Sequence, residues 1–139
     1  MQKIIIHGDF EAGKEPVYGS ALASGADLKA NNIEDIVIPP GETALIPTGI
    51  RLQIPKGYEG QVRSRSGIAL KFAVTVLNSP GTIDADYRGE LKIILINHGK
   101  ASYRVKNDDR IAQLVFSPVI QGEFIQKKEL LASDRGING

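Results

Sequence analysis

The stretch "GIRLQIPKG", residues 49–57, decides the fold class. Within it Ile50, Leu52 and Ile54 alternate with Arg51 and Gln53. A period of two puts all three aliphatic side chains on one face of a strand. Pro55, Lys56 and Gly57 then end the strand with turn chemistry. The same pattern recurs along the chain. Short Ile- and Val-rich runs stand at 3–6 ("KIII"), 35–38, 43–46, 73–77, 91–96, 102–105 and 111–116. Pro39-Pro40-Gly41, Pro47 and Pro80-Gly81 mark turns between them. Many short strands at close intervals predict an all-β sandwich or barrel.

One segment departs from this rhythm. "SRSGIALK" (64–71) predicts a single short helix, with Ser64 or Ser66 as its N-cap. "ASGADLKA" (23–30), rich in small residues, reads as a loop with one aspartate. No repeat or low-complexity tract divides the chain. Its 139 residues suit one domain, 1–139, able to bury roughly two-thirds of its unfolded surface. The closing "SDRGING" has the composition of a flexible tail, expected from about residue 131.

Composition removes several function classes. Lys and Arg number 17 against 16 Asp and Glu, a net charge of +1. That balance argues against a nonspecific nucleic-acid binder, which needs a basic excess. There is no cysteine, so disulfides and thiolate metal sites are excluded. "KIII" is too short for a secretory h-region, and no apolar run approaches a membrane span. The expected setting is cytoplasmic, with no membrane partner.

Four segments carry candidate chemistry. "RSRSG" (63–67) alternates Arg and Ser at the start of the predicted helix, where guanidinium forks and free N–H groups suit phosphate oxygens. The plain alternative is a capped surface helix with solvated arginines. "NSPGTIDADYRGE" (78–90) sets two aspartates, a tyrosine and an arginine among turn residues. A carboxylate there could act as a general base on water and the phenol ring could pack on a sugar. The alternative is a hairpin whose aspartates bond their own turn. "DDRIAQLVF" (108–116) places Gln113 inside an apolar run, and "ASGADLKA" supplies Asp27. His7 and His98 stand far apart and form no metal or catalytic constellation.

In order, "ASGADLKA", "RSRSGIALK", "NSPGTIDADYRGELKIILIN", "DDRIAQLVF" and the terminal "DRGING" closely resemble the five signature motifs of the trimeric dUTP pyrophosphatases (dUTPases). The resemblance runs from Ala23 to the last residue. "GTIDADYRGE" is its most specific part, and "SGADL" its least. It implies a jelly-roll-like (β-clip) barrel with one short helix, assembled as a homotrimer with shared active sites. The implied reaction is hydrolysis of dUTP to dUMP and pyrophosphate with Mg2+, which keeps uracil out of DNA and supplies dUMP for dTMP synthesis.

Carried over by position, Asp84 resembles the carboxylate that orients and deprotonates the attacking water. Gln113 resembles the glutamine that contacts phosphate and that water. Arg65, Ser66 and Gly67 resemble the phosphate-binding part of the second motif. The resemblance sets Tyr87 against the deoxyribose, Asn78 at the uracil edge, and Thr82 and Ile83 beside the base. Lys92 falls near the nucleotide, Asp27 reaches magnesium through water, and Arg135 approaches the γ-phosphate from the tail. Asp86 and Arg110 take structural roles.

Two departures stand out. Ser64 occupies a place where proline is common. The family's fifth motif continues into a phenylalanine and a "GSTG"-like run, whereas the sequence stops at Gly139; a chain lacking that run is expected to turn over slowly with its pocket still formed. Two other readings remain: a dCTP deaminase of the same fold, and a non-catalytic nucleotide-binding or regulatory module. Against the first, no glutamate of the hairpin segment is placed to displace an exocyclic amine. The second is opposed by the intact "IDADY".

Overall fold

The computed structural model describes residues Met1–Gly139 and contains eleven strands and one helix. Two antiparallel sheets enclose the core. The first has the order β1 (His7–Phe10), β5 (Thr43–Gln53), β9 (Glu90–Asn97), β7 (Val74–Val76). The second runs β2 (Val17–Tyr18), β3 (Ala26–Lys29), β11 (Arg110–Pro118), β6 (Tyr58–Arg63), β8 (Gly81–Ile83). A two-stranded ribbon of β4 (Ile36–Ile38) and β10 (Tyr103–Val105) completes the all-β architecture.

Alternation dictates which side chains fill the space between the sheets. In β5, Ile46, Thr48, Ile50 and Leu52 are buried, and Ile54 follows them into the core. In β9 the inward set is Leu91, Ile93, Leu95 and Asn97. Asn97 is the polar member, and its amide is spent on the chain around it. It donates to Ile38 O at 2.9 Å and Ala101 O at 2.8 Å, and accepts from Gly99 N at 2.8 Å. A buried amide so satisfied ties the ribbon to the first sheet without a desolvation penalty.

Several expectations need correction. Residues 43–46 and 49–54 form one strand, and Pro47 lies inside it rather than in a turn. The register with β9 shifts between Pro47 and Arg51, and a bulge is where a strand tolerates proline. Gly49 takes φ +70 there, and Glu90 Oε2 accepts its N–H at 3.2 Å. "KIII" forms no strand; the first begins at His7. "ASGADLKA" contains β3, a strand of the second sheet whose Ala26 and Leu28 are buried, so it is a packed strand and not a loop. β6 carries a half-polar sequence, "YEGQVR", with too weak an alternation to stand out.

The helix, α1, spans Ser66–Phe72, and Arg65 rather than a serine occupies its N-cap, with no side-chain cap bond. Ser64 instead turns inward, its Oγ accepting Val76 N–H at 2.9 Å. The helix ends at Ala73, which adopts the left-handed region at φ 55. After Val119 N bonds Gly57 O, residues 120–139 are exposed and form neither strand nor helix.

Candidate active site

Strand adjacency gathers the first part of the site. β11 lies between β3 and β6, and Gln113 is in register with Asp27 on one side and Arg63 on the other. From Arg63 the chain passes through Ser64 and Arg65 into α1. The result is a cleft of about 350 Å³ lined by Gly19, Ser20, Ala23, Gly25, Asp27, Arg65, Ser66, Gly67 and Gln113. Five of the residues singled out from sequence meet here: Asp27, Arg65, Ser66, Gly67 and Gln113.

The polar groups are held by one another. Arg65 Nε donates to Asp27 Oδ1 at 2.9 Å, and Arg65 Nη1 reaches Arg110 O at 3.3 Å. Arg110 Nη1 stands 3.8 Å from Asp27 Oδ2, so two guanidinium groups flank one carboxylate. Gln113 Nε2 donates to Ser64 O at 2.9 Å, which leaves its Oε1 as the free end of the amide. The N–H groups of Ser66 and Gly67 lie in the first turn of α1, where helical geometry supplies no carbonyl partner. Guanidinium and unpaired N–H donors converging on one cleft suit phosphate oxygens.

The hairpin residues form a second, separate group. Thr82 and Ile83 sit on β8, paired with Gln61 and Gly60 of β6. Thr82 faces solvent while Ile83 packs on the core. Asp84 follows directly at the strand's end and is exposed. Asn78 is exposed beside Gly81, across the cis Ser79–Pro80 peptide. Tyr87 donates its hydroxyl to Glu90 O at 3.0 Å, and its N–H bonds Asp84 O at 3.1 Å. Lys92 projects to solvent from β9, opposite Pro47. None of these side chains lines the cleft. Arg135 is also remote, its Nε donating to Asn138 O at 2.7 Å within its own turn.

The turn between β8 and β9 is held by a main-chain bond and by the Arg88 guanidinium rather than by Asp86. Tyr87 N reaches Asp84 O, and Arg88 Nη1 donates to Ala85 O at 2.6 Å. Arg110, by contrast, does sit against Asp27.

A family model described as dUTPase matches residues 11–139. The chain belongs to the dUTPase family. Over 128 residues it is 56% identical to the deoxyuridine 5'-triphosphate nucleotidohydrolase of Chlamydia pneumoniae, covering 91% of this chain and 88% of that one. The dUTPase of Staphylococcus bacteriophage 80alpha, solved with dUPNHPP, shares the fold at a TM-score of 0.86 and 28% identity, over 99% of this chain and 96% of that one. A mutant dUTPase from phage phi11 of S. aureus, whose structure concerns the coordination of a structural Mg(II) ion, gives a TM-score of 0.80 at 26% identity, covering 91% and 98%.

For a dUTPase-family chain the cleft's acidic content is small. Asp27 is its single carboxylate, and nowhere do three or more His, Cys, Asp or Glu side chains gather. One carboxylate fits a magnesium ion that takes most ligands from phosphate and water, and does not fit an all-protein cage. Sequence reasoning passed over Gly19 and Ser20, which line the cleft just after β2. Their only signal is a Gly-Ser pair following a two-residue strand. It also passed over Gly25. A Cβ there would stand 2.9 Å from Gln113 Cδ and 3.0 Å from Gln113 Cβ, and closer still to Oε1. The glycine leaves the volume that the Gln113 side chain fills.

Proposed function

We propose that this chain hydrolyses dUTP to dUMP and pyrophosphate. The observation that carries the reading is the cleft in which Arg65, Gln113 and the first turn of α1 converge, on a chain of the dUTPase family. A triphosphate supplies the oxygens such donors call for. In the proposed reaction a water oxygen attacks the α-phosphorus in line while the bond to the bridging oxygen breaks, and pyrophosphate departs. Asp84 takes the water's proton, and its exposure at the end of β8 leaves it accessible. Gln113 steadies the water through its free Oε1 or, with rotation, an α-oxygen through its amide N–H. Arg65, Ser66 and Gly67 bear the phosphate charge, which in phosphoryl transfer matters more than covalent help.

Base and sugar belong to the hairpin. Asn78, Thr82 and Ile83 border the uracil, the Tyr87 ring covers the deoxyribose, and Lys92 lies alongside. Arg135 reaches the γ-phosphate from a flexible C-terminal tail of the single 1–139 domain. Mg2+ bound to the phosphates would neutralise their charge, with Asp27 as its outer carboxylate.

The hairpin residues lie outside their own subunit's cleft, so the reading requires a neighbouring copy to bring them together. A homotrimer with shared sites does this by closing a heterologous interface. Exposed apolar side chains support such contacts, among them Leu70 at 91% and Phe124 at 99%. No helix is long and apolar enough to cross a membrane.

Pyrophosphate release from dUTP with Mg2+ tests the reading. Asp84→Asn is expected to lower kcat by at least about a hundredfold while dUTP still binds, because the base is lost and the slot remains. Ammonia release from dCTP, or unchanged turnover in Asp84→Asn, would overturn it.

A further inference from the structure

We propose that Gly89 is a positioning residue that sets the preference for deoxyribose over ribose, by providing the seat on which the Tyr87 ring lies. Tyr87 is 45% exposed, yet its ring is not free. The chain turns so that the ring folds back across Gly89 and its hydroxyl donates to Glu90 O at 3.0 Å. A Cβ on residue 89 would stand 2.6 Å from Tyr87 Cζ and 3.0 Å from Cε1, and nearer still to Oη. Its three nearest neighbours are all Tyr87 atoms, none of them backbone. Gly89 is not among the glycines with positive φ, so backbone freedom is not what the position demands. It demands space for one aromatic ring.

The seat is fixed from beneath. The acceptor carbonyl belongs to Glu90, the first residue of β9, whose carboxylate accepts Gly49 N–H across the β5 bulge at 3.2 Å. The other side of the turn is closed by Tyr87 N to Asp84 O and by the Arg88 guanidinium on Ala85 O. The ring's position is thus set by the hairpin before any nucleotide arrives. A ring held this way presents a rigid face at a fixed height, on the same hairpin tip as Asp84.

The inference rests on the reading that Tyr87 covers the sugar of dUTP. Discriminating hydrogen from hydroxyl at C2′ needs a wall that does not yield, since a wall that shifts by about an ångström admits the extra oxygen. A side chain at residue 89 lifts the ring off its seat and breaks the bond to Glu90 O. Because only the ring must move, the hairpin and the rest of the fold keep their places.

The test compares dUTP and UTP hydrolysis by wild-type protein, Gly89→Ala and Tyr87→Phe, with thermal melts of each. In Gly89→Ala the ratio of kcat/KM for dUTP over UTP is expected to fall about tenfold or more. KM for dUTP should rise while its kcat stays within about threefold. Tyr87→Phe keeps the ring but loses its tether, and should show a smaller fall in the same ratio. An unchanged ratio in Gly89→Ala, with dUTP turnover intact, overturns the seat and leaves the proposed reaction standing. Equal losses toward both nucleotides also overturn it, since they mark general damage to the hairpin. A wild-type protein inert toward dUTP would instead sink the reaction, and the seat's role with it.

Discussion

At the scale of single residues, glycine does two different jobs in this chain. Gly49 takes φ +70 at the β5 bulge, a conformation that side chains rarely adopt. Gly25 and Gly89 leave room, each for one neighbouring side chain. The Gln113 amide occupies the space over Gly25 and from there donates to Ser64 O. Gly25→Ala should therefore displace Gln113 and lower kcat/KM for dUTP by about ten- to a hundredfold, since misplacement by an ångström is costly to an oriented group. Steady-state kinetics beside a thermal melt would check this, and unchanged kinetics would remove Gln113 from the mechanism. The two aspartates of "IDADY" also separate at this scale. Asp84 stands at the strand end, bonded through its carbonyl to Tyr87 N, while the Asp86 side chain is exposed in the turn.

Among elements, a buried tie between the ends of β3 and β11 comes from a residue outside every motif read from the sequence. Lys14 is buried, and its ammonium donates to Ala30 O at 2.9 Å, Asn107 Oδ1 at 2.9 Å and Asp108 Oδ1 at 2.5 Å. It joins the end of the strand bearing Asp27 to the turn before the strand bearing Gln113. Asp108 sits at φ 70, a region Asp enters more readily than most residues. Lys14→Met should cost about 1–3 kcal/mol in urea denaturation, because it removes a buried, charge-assisted hydrogen bond to Ala30 O, which keeps only its bond from Asp108 N–H. The hydrogen bond from Lys14 holds the Asp108 carboxyl below its ordinary 3.8, against desolvation and aided by the charges of Lys14 and Lys29. A pKa depressed on folding gives stability that is present above the unfolded value and lost as pH falls through the folded one. The melting temperature should thus fall as pH drops through about 4 and below, and fall less steeply in Asp108→Asn. Parallel acid slopes in the two proteins would remove Asp108 from that transition.

For the whole molecule, the decisive fact is that the hairpin residues and the cleft residues do not meet within one chain. A mixture of Asp84→Asn and Arg65→Ala chains, unfolded and refolded together, should regain dUTP hydrolysis well above either variant alone. Mixed assemblies pair an intact hairpin with an intact cleft. Activity of the mixture no higher than the mean of the two would rule out sharing across subunits. The sequence by itself determined the all-β class, because a period of two in Ile50, Leu52 and Ile54 has one physical reading and all three are buried. It also determined the motifs that mark the family, since short local runs carry them. It misjudged Pro47 and the helix cap, where local turn and cap chemistry was overridden by a bulge against β9 and by Ser64 bonding Val76. Only the tertiary structure decided that Asp27, Arg65 and Gln113 share one cleft, through the β3-β11-β6 order. Only it shows which groups Lys14, Gly25 and Gly89 stand against. Their roles depend on atoms brought near by folding, and no pattern along the chain records a space left empty for a distant side chain.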